Sequence, residues 1–355
     1  MKKRSDGRYQ LSIMIGYGDD GKPKRKLVYG RTQKEVREKA NELRMQHSMG
    51  IEIDNNITVA EWAETWLKTY KTGVEYKTHQ MYSDSLRLYI VNPLGRLKLR
   101  DVKTAHLQKI ANDNSHKTKT IKNFKMTASQ MFEQAVLNDL ILKNPAKGIV
   151  LPVSVPSTKK RALTESEIEA IKSLEIDSKT RCFIFFLLYT GARKGEALAI
   201  TKSDIDRDKL EINISKSLVF KGNQSEVKHN PKTKAGVRSI PVLDPLKAIL
   251  FAHIDSIDTE LLFPSANNNT MSDTAYRRMW QKFETAIGTK EITAHIFRHN
   301  FATLLYNAGV DIKTAQSILG HSSINITMDI YTHLDARNRT TAAAKLNDYL
   351  SISVD

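Results

Sequence analysis

The first fifty residues alternate between apolar and polar side chains and then change to a helical spacing. Apolar residues occupy every second position of 9–15, which predicts a β-strand, and a second strand pattern at 24–29 follows a Gly-Asp-Asp-Gly turn sequence. Thr32 and Glu35 have the spacing of a capping box, and the apolar positions beyond them predict a helix. The pattern therefore predicts a β-hairpin followed by one helix within residues 1–50.

The second segment has the 3.6-residue apolar period of amphipathic helices. A polar linker precedes Thr58 and Glu61, whose spacing predicts another capped helix start. Helical patterns continue over three further stretches: roughly 78–91, 104–112 and 118–138. Asn-Pro sequences at 92–93 and 144–145 interrupt these patterns, because proline cannot continue a helix. We predict an all-helical domain over residues 57–150.

The third segment is mostly helical with one β-rich insert. A linker rich in Pro, Ser, Thr and Lys precedes it, and the spacing of Thr164 and Glu167 predicts the start of its first helix. Alternating apolar and polar residues between about 208 and 243 predict short strands. The predicted fold class is therefore multidomain and mainly α with small β elements. The predicted domains are 1–50, 57–150 and 160–355.

Composition adds a strong positive charge to this picture. The 355 residues carry a formal net charge of +16, which points to nucleic acid or an anionic membrane as the partner. The surplus is dense in residues 1–50, where 13 Lys and Arg stand against 6 Asp and Glu, a difference of 7. A hairpin with one helix cannot bury much core, so we interpret this basic module as a DNA-contacting domain. The alternative is a solvated extension.

The single cysteine and the hydropathy of the chain limit the kinds of site it can contain and the cellular compartment in which we expect it. Cys182 is the only cysteine, which excludes an intrachain disulfide and a cysteine-based zinc site, and its apolar neighbours predict a buried residue. The basic N-terminus is not followed by an apolar stretch, and no segment has transmembrane length. We therefore expect no signal peptide, no contact with a membrane and a protein that works in the cytoplasm.

The C-terminal half carries a set of side chains suited to attack on a phosphodiester. The set has two arginines, two histidines and one tyrosine: Arg193, Arg298, His295, His321 and Tyr331. Arginine is permanently charged and presents a fork that matches two phosphate oxygens, so a pair would stabilise the charge that develops there. Histidines transfer protons near neutral pH, and a phenol that loses its proton is a nucleophile.

These residues stand in motifs that resemble those of the tyrosine recombinase (phage integrase) family. The motifs follow the family's order: TGARKGEAL at 190–198, PKTKAGVRSIP at 231–241, HIFRHNFAT at 295–303, LGHSS at 319–323 and YTH at 331–333. The two segments before them resemble those of integrases of conjugative transposons and temperate phages. The resemblance implies an N-terminal β-hairpin and helix module that binds arm-type DNA, a helical core-binding (SAM-like) domain and a mixed α+β catalytic domain.

The resemblance also implies a reaction. The protein would be a site-specific DNA recombinase that integrates and excises a mobile element through a Holliday junction. Tyr331 would attack DNA to form a 3′-phosphotyrosyl enzyme and release a 5′-hydroxyl. Arg193 and Arg298 would hold the scissile phosphate, while His295 and His321 would donate or relay protons. Since the phosphotyrosine retains the bond energy, neither ATP nor a metal nor any other cofactor is expected.

Two further features are interpreted through this resemblance, and a third competes with it. The family's general acid is a lysine on a β-hairpin, for which we choose Lys232, with Lys234 as the alternative. Glu196 matches a family position that either orients an arginine or packs its helix. A rival zinc site at His295 and His299, spaced i, i+4, lacks the glutamate of the HExxH motif and an obvious third ligand.

Partners follow from the same resemblance. We expect double-stranded DNA at core and arm-type sites, a homotetramer on DNA, an excisionase and a DNA-bending host protein. The residues predicted to contact DNA are Arg8, Lys24, Arg25, Lys26, Lys119 and Lys122. An amphipathic C-terminal helix at 341–350 would dock either on its own domain or on a neighbouring subunit.

Two other functions compete with this one. A catalytically inactive DNA-binding regulator would keep the positive charge, but it would not need every catalytic position to be occupied. A type IB topoisomerase-like enzyme would share the chemistry, but it would have no use for a basic module that binds separate DNA sites. Both considerations favour the recombinase.

Overall fold

The computed structural model describes residues 1–17, 22–48, 56–152, 161–229 and 236–335. The chain divides into two compact units, Met1–Ser157 and Thr158–Asp355, which are described separately. Within the described residues, none of the helices combines the length and the apolar character needed to cross a membrane.

The N-terminal module is an antiparallel sheet covered by one helix. Its elements are β1 (Lys2–Lys3), β2 (Tyr9–Tyr17), β3 (Pro23–Gly30) and α1 (Gln33–Ser48), with the strands in the order β1-β2-β3. The predicted hairpin and helix are confirmed, while β1 was not predicted. Alternation places Ile13 and Val28 in a small core with Val36 and Ala40 of α1, which accounts for the period-two pattern.

The capping box predicted at α1 differs from the one in the structure. The Glu35 amide donates to Thr32 Oγ1 at 3.1 Å, as predicted, but the Glu35 carboxylate accepts from the amide of Arg31 at 2.7 Å. The acidic side chain therefore reaches one residue further back than a capping box requires.

A helical segment follows in the same unit. Its elements are α2 (Val59–Tyr70), α3 (Tyr76–Leu86), a π-helical turn (Arg87–Val91), α4 (Asn92–Leu94), a 3-10 turn (Leu99–Asp101), α5 (Thr104–Asp113) and α6 (Thr118–Leu137). The capping box of Thr58 and Glu61 is complete. The core of this segment includes Trp62, Trp66 and Phe124, so the apolar stripes read from the sequence face inward.

The first Asn-Pro sequence does not interrupt the helix where we predicted. α3 widens into the π-helical turn, in which the Asn92 amide donates to Arg87 O, and the chain stays helical through Leu94. Pro93 lies in the first turn of α4, where its missing N–H costs little. The prediction was wrong because a change of hydrogen-bond register lets helical structure pass a proline.

The second unit is mostly helical with two small sheets. Its helices are α7 (Glu165–Lys172), α8 (Ser178–Thr190), α9 (Lys194–Ala199), α10 (Asp244–Ser256), α11 (Asp273–Ile287), α12 (Ala294–Asn307), α13 (Ile312–Leu319) and α14 (Ile324–Asp335), with a 3-10 turn at Lys202–Asp204. Its strands are β4 (Ile205–Asp206), β5 (Glu211–Ile214), β6 (Ser217–Lys221), β7 (Gln224–Lys228) and β8 (Arg238–Pro241). β4, β5 and β8 form one sheet, and β6 and β7 form a hairpin, so the predicted β-rich insert is confirmed.

Helix α8 lies at the centre of this unit. Every residue from Cys182 to Thr190 is buried, and the helix contacts α10, α11 and α12. A helix that is apolar all round must be surrounded, which agrees with the uninterrupted apolar run of the sequence. Burial also raises the pKa of the Cys182 thiol to about 12, so this cysteine is an unreactive packing residue.

Gly191 ends α8 in a left-handed conformation and touches α12. Its φ is +60°, and a Cβ atom placed there would lie 2.5 Å from Phe301 Cδ1. Only glycine permits both the backbone angle and this approach. The loop that leads to α9 therefore starts from a fixed point.

We expect Gly191→Ala to lower the free energy of unfolding more than Gly288→Ala does. Gly288 has a φ of +77° at the end of α11, and a Cβ atom there would meet nothing within 4 Å, so its substitution carries only the left-handed penalty of about 1–2 kcal/mol. Gly191→Ala should add about 1–3 kcal/mol of overpacking against Phe301. Urea unfolding of both variants measures the difference, and equal losses would contradict this account.

Candidate active site

The C-terminal end of α13 organises the candidate site. Gly320 adopts a φ of +64°, its amide donates to Ser317 O at 3.0 Å, and the amide of His321 donates to Gln316 O at 3.2 Å. This is a Schellman motif, which ends a helix and uses two of its last carbonyls. The next three carbonyls stand at the negative end of the helix dipole, where cations bind favourably.

Three arginines donate to these consecutive carbonyls. The bonds are Arg238 Nε to Ile318 O at 2.7 Å, Arg298 Nη2 to Leu319 O at 2.5 Å and Arg193 Nη2 to Gly320 O at 3.0 Å. The arginines come from β8, α12 and the start of α9. Parts of the chain that are up to 127 residues apart therefore meet at one helix end. We call these three residues the arginine set.

Arg193 is the N-cap residue of α9 and the most accessible member of the arginine set. Its Nη1 donates to Glu196 Oε1 at 2.6 Å and its backbone amide to Glu196 Oε2 at 2.9 Å. Its side chain is 46% exposed, whereas that of Glu196 is only 7% exposed. Glu196 therefore holds one side of the Arg193 guanidinium, and the exposed side is accessible to a ligand.

Glu196 also binds Arg238. Arg238 Nη2 donates to Glu196 Oε2 at 2.8 Å, and both side chains are almost completely buried. Burial alone would raise the pKa of Glu196, but the hydrogen bond and the charge of Arg238 outweigh it, so the pKa lies below its ordinary value. Of the two roles that the sequence left open for Glu196, orienting an arginine is the one that these bonds support.

Arg298 is buried on α12. Its Nη1 donates to Gly191 O at 3.0 Å, so it joins the end of α8 to the end of α13. Burial lowers the pKa of Arg298 to about 9, and the charge of Arg193 adds to this effect. Two like charges so placed repel each other, and an anion bound between them would relieve that repulsion.

His321 is the last residue of the Schellman motif, and it is buried. Its Nδ1 lies 2.9 Å from the hydroxyl of Thr327 on α14. Burial, followed by the charges of Arg298 and Arg193, lowers the pKa of His321 to about 3. The imidazole is therefore neutral at physiological pH, and its Nδ1 either donates to the Thr327 hydroxyl or accepts from it, according to the tautomer.

His295 lies in the first turn of α12, and its charge is among those that lower the pKa of His321. Its ring stands 6.1 Å from that of His299 in a T-shaped arrangement. In the part of the chain that the structure describes, no three His, Cys, Asp or Glu side chains are grouped to hold a metal ion.

Tyr331 projects from α14 and is buried. Its hydroxyl donates to Val310 O at 3.2 Å, and its ring packs edge-on against Tyr306 at 5.0 Å. Burial and then the charge of Asp311 raise the pKa of Tyr331. The hydroxyl is thus docked on the loop between α12 and α13 and bonded there, rather than to a member of the arginine set.

Several predicted site residues lie outside the described residues. They are Lys232, Lys234 and the C-terminal helix at 341–350, together with the side chain of Lys24. The roles assigned to them remain predictions.

The predicted DNA contacts of the N-terminal module do not share one face. Arg25 and Lys26 are neighbours on β3 and so point to opposite faces of the sheet. Lys26 pairs with Ile13 on the side that faces α1, while Arg25 lies on the outer side and is exposed. Arg8 is exposed and forms an ion pair with Asp6 at 2.8 Å.

The other predicted DNA contacts lie on α6. Lys119 and Lys122 are exposed one turn apart, on the side of the helix away from the core residues Ile121 and Phe124. Lys125, which lies next on this helix, instead donates to Ile149 O at 2.7 Å. The lysines that remain available on α6 are therefore at its N-terminal end.

Two residues of the site were missed in the sequence analysis. Arg238 lies in the predicted β-rich insert but was given no role in the site, and Thr327 was given none. Arg238 belongs to the PKTKAGVRSIP motif, and Thr327 lies six residues after His321 in the turn and helix that follow LGHSS. The sequence signal for each of them was a polar residue inside, or just beyond, a motif that carries a predicted catalytic residue.

Comparison with known proteins finds similarity over most of the chain. The family model described as Phage integrase family matches residues 161–338, and the one described as Phage integrase, N-terminal SAM-like domain matches residues 58–114. A protein named tyrosine recombinase XerC-like, from Caldanaerobacter subterraneus subsp. tengcongensis, is 28% identical over 96% of both chains. The ICEBs1 integrase of Bacillus subtilis is 26% identical over 99% of this chain and 100% of its own.

Solved structures agree with the sequence comparisons. The Tn1549 transposon integrase in complex with a circular intermediate DNA is 27% identical, has a TM-score of 0.66, and the match covers 78% of this chain and 95% of that one. A lambda integrase dimer bound to a COC′ core site has a TM-score of 0.63 at 20% identity and covers 93% of both chains, which concerns the fold alone. The predicted fold class is confirmed.

We expect acid to destabilise the protein partly through His321. The pKa of His321 is about 3 in the folded chain and lies below its ordinary value of 6.5. Between these two pH values the imidazole is protonated in the unfolded chain but not in the folded one. The stabilising contribution is complete above the ordinary value and is lost as the pH falls toward 3. Between pH values of about 7 and about 5, the melting temperature of the wild type should therefore fall more than that of His321→Asn.

The control for this prediction is His79→Asn, which alters an exposed histidine. It should show the same acid sensitivity as the wild type. Equal slopes for the wild type and His321→Asn would mean that His321 is protonated as readily in the folded chain as in the unfolded one.

Proposed function

The chain belongs to the phage integrase family and is a tyrosine-type site-specific recombinase, and we propose that it integrates and excises a mobile genetic element by cutting and rejoining double-stranded DNA. The observation that carries this proposal is the convergence of Arg193, Arg298 and His321 on the end of α13, with Tyr331 on the next helix. Phosphodiester attack by a phenol requires a cluster of fixed positive charge and a tyrosine that can reach it, and this unit carries the tyrosine on the helix that follows the cluster.

In this proposal the two arginines receive the scissile phosphate. Arg193 is half exposed and held through Glu196, so it presents its free N–H groups in a set direction. Arg298 adds a second, buried charge. The repulsion between the two arginines falls when a phosphate lies between them. The effect grows as negative charge develops on the phosphate, so the arginines stabilise the transition state more than the bound substrate.

The histidines complete the phosphate site. If the hydroxyl of Thr327 donates to Nδ1 of His321, then Nε2 carries a proton and donates it to a phosphate oxygen. In the opposite tautomer, Nε2 is a base that accepts the proton of the phenol. His295, one turn before Arg298, supplies the second imidazole.

Tyr331 is the proposed nucleophile. Its hydroxyl must leave Val310 O, because burial and Asp311 raise its pKa in the docked position and disfavour the phenolate. The phenolic oxygen then forms a bond to phosphorus while the bond to the 5′ oxygen breaks. The result is a 3′-phosphotyrosine and a 5′-hydroxyl, and the departing oxygen takes its proton from Lys232 or, alternatively, from Lys234. The reverse reaction on a second strand needs no cofactor.

The covalent step is tested with a DNA substrate that is nicked near the cleavage site, so that the cut strand is lost and the adduct accumulates. Wild-type protein should form an adduct that survives denaturation without added metal, and Tyr331→Phe should form none, because only the phenol oxygen can bond to phosphorus. Gel electrophoresis of labelled DNA provides the readout.

Tyr306→Phe is the matched control, since it removes the hydroxyl of the ring that packs on Tyr331. It should retain adduct formation. An adduct with Tyr331→Phe would place the nucleophile elsewhere, and tight DNA binding without an adduct from the wild type would favour a catalytically inactive regulator. Relaxation of supercoils without site preference would favour a topoisomerase-like enzyme.

We further propose how the chain engages DNA. The helical segment at 57–150 and the catalytic unit would bind a core site, and the N-terminal module would bind a separate arm-type site, which makes attachment bivalent. Four copies would exchange one pair of strands at a time through a Holliday junction. An excisionase and a DNA-bending protein would set the direction, and the reaction would take place in the cytoplasm. The similarity to the Tn1549 transposon integrase, whose structure was solved in complex with a circular intermediate DNA, supports the choice of a mobile element.

If the exposed face of the N-terminal sheet meets arm DNA, Arg25→Ala should weaken binding to that DNA and lower the slope of log affinity against log salt by about 0.9. Lys26→Ala removes the same charge from the opposite face and should change the slope less. Fluorescence anisotropy over a series of salt concentrations measures both. Equal losses would mean that only the net charge of the module matters.

A further inference from the structure

All three nitrogen atoms of the Arg238 guanidinium donate hydrogen bonds inside the protein. Nε donates to Ile318 O at 2.7 Å, Nη1 to Gly236 O at 3.3 Å and Nη2 to Glu196 Oε2 at 2.8 Å. Its side chain is 3% exposed. A phosphate could reach it only if these bonds were broken, so Arg238 differs in kind from the half-exposed Arg193.

The bonds of Arg238 join the two elements that carry the proposed catalytic groups. Through Glu196 it reaches α9, whose N-cap residue is Arg193. Through Ile318 it reaches the last turn of α13, three residues before His321. β8, which carries Arg238, pairs with β5 and thereby anchors both contacts to the sheet.

We propose that Arg238 is a positioning residue for the strand-cleavage reaction. It neutralises Glu196, so that Arg193 stays available to the scissile phosphate. It also fixes the end of the helix that presents His321. This inference rests on the proposed function. It assigns Arg238 no contact with DNA.

Charge balance explains why such a residue is needed. Glu196 is buried and ionised, and its negative charge is shared between the guanidinium groups of Arg193 and Arg238. Without Arg238, the buried carboxylate would depend on the half-exposed Arg193 alone to offset its desolvation. The N–H groups of Arg193 would then be drawn toward Glu196 and away from a phosphate.

The experiment compares Arg238→Met with Arg181→Met in the full chain. Arg181 is a matched control, because it also docks on carbonyls at the C-terminal end of a helix. Its Nη2 donates at 3.2 Å to the oxygen of Lys172, the last residue of α7, and its Nη1 donates at 2.6 Å to the oxygen of Leu174, two residues beyond. For each variant we would measure the first-turnover rate of adduct formation at saturating protein, the dissociation constant for core DNA and the melting temperature.

Arg238→Met should slow adduct formation roughly 100-fold, the loss expected from a displacement of about 1 Å in the reacting groups. The dissociation constant should change by less than about 3-fold, because Arg238 touches no phosphate in this account. Arg181→Met should leave the rate within about 3-fold of the wild type, since it removes a helix contact without a link to Arg193.

Rescue separates positioning from packing. Adding Glu196→Gln to Arg238→Met removes the uncompensated carboxylate and keeps an oxygen that accepts from Arg193. The double variant should form adduct at least about 10-fold faster than Arg238→Met alone, a non-additive result. If Arg238→Met fails to fold, the same comparison is made with Arg238→Lys, which keeps the charge but loses the fork.

Three outcomes would overturn the inference: a rate for Arg238→Met equal to that for Arg181→Met, a loss carried mainly by the dissociation constant, or a double variant no faster than the single one. The absence of an adduct from wild-type protein would instead reject the proposed function. The two failures are therefore distinguishable.

Discussion

The carbonyl groups at the end of α13 are the element on which the candidate site depends. Three consecutive backbone oxygens receive Arg238, Arg298 and Arg193, so the backbone itself sets the spacing of the guanidinium groups. A helix end is suited to this task, because its last carbonyls lack partners within the helix and carry partial negative charge. The turn that Gly320 permits then places His321 directly beside the arginines.

The charges of this site do not balance, and the excess is positive. One buried carboxylate, that of Glu196, stands against three guanidinium groups, and the neutral His321 adds nothing to offset them. Burial lowers the pKa of Arg298, and the charges of Arg193 and Arg238 lower it further, so the remaining positive charge has a cost in the free protein. A phosphate of bound DNA would remove that cost, which links the folding of this unit to its proposed chemistry. The docked position of Tyr331, the proposed nucleophile, raises the pKa of its phenol and so disfavours the phenolate.

Local patterns predicted the fold better than they predicted the partners within the site. Period-two and period-3.6 spacing located the hairpin, the main helices and the β-rich insert, because burial of one face repeats along an element. The π-helical turn before Pro93 escaped prediction, since its hydrogen-bond register leaves no simple pattern. The motifs pointed to the residues that meet at α13, but the contacts of Arg238 with Glu196 and Ile318 span 42 and 80 residues and depend on tertiary packing. The orientation of Tyr331 is likewise set by Val310 and Tyr306, which no motif includes.

The central claim is that the arginine set holds the end of α13 in place before DNA binds. Hydrogen exchange of the amides of Gly320 and His321 in the DNA-free full chain tests it most directly, because both amides are bonded within the Schellman motif. The account predicts protection comparable to that of the buried helix α8. Exchange as fast as at the exposed residue Lys290 would contradict it and would mean that the site is assembled only on DNA.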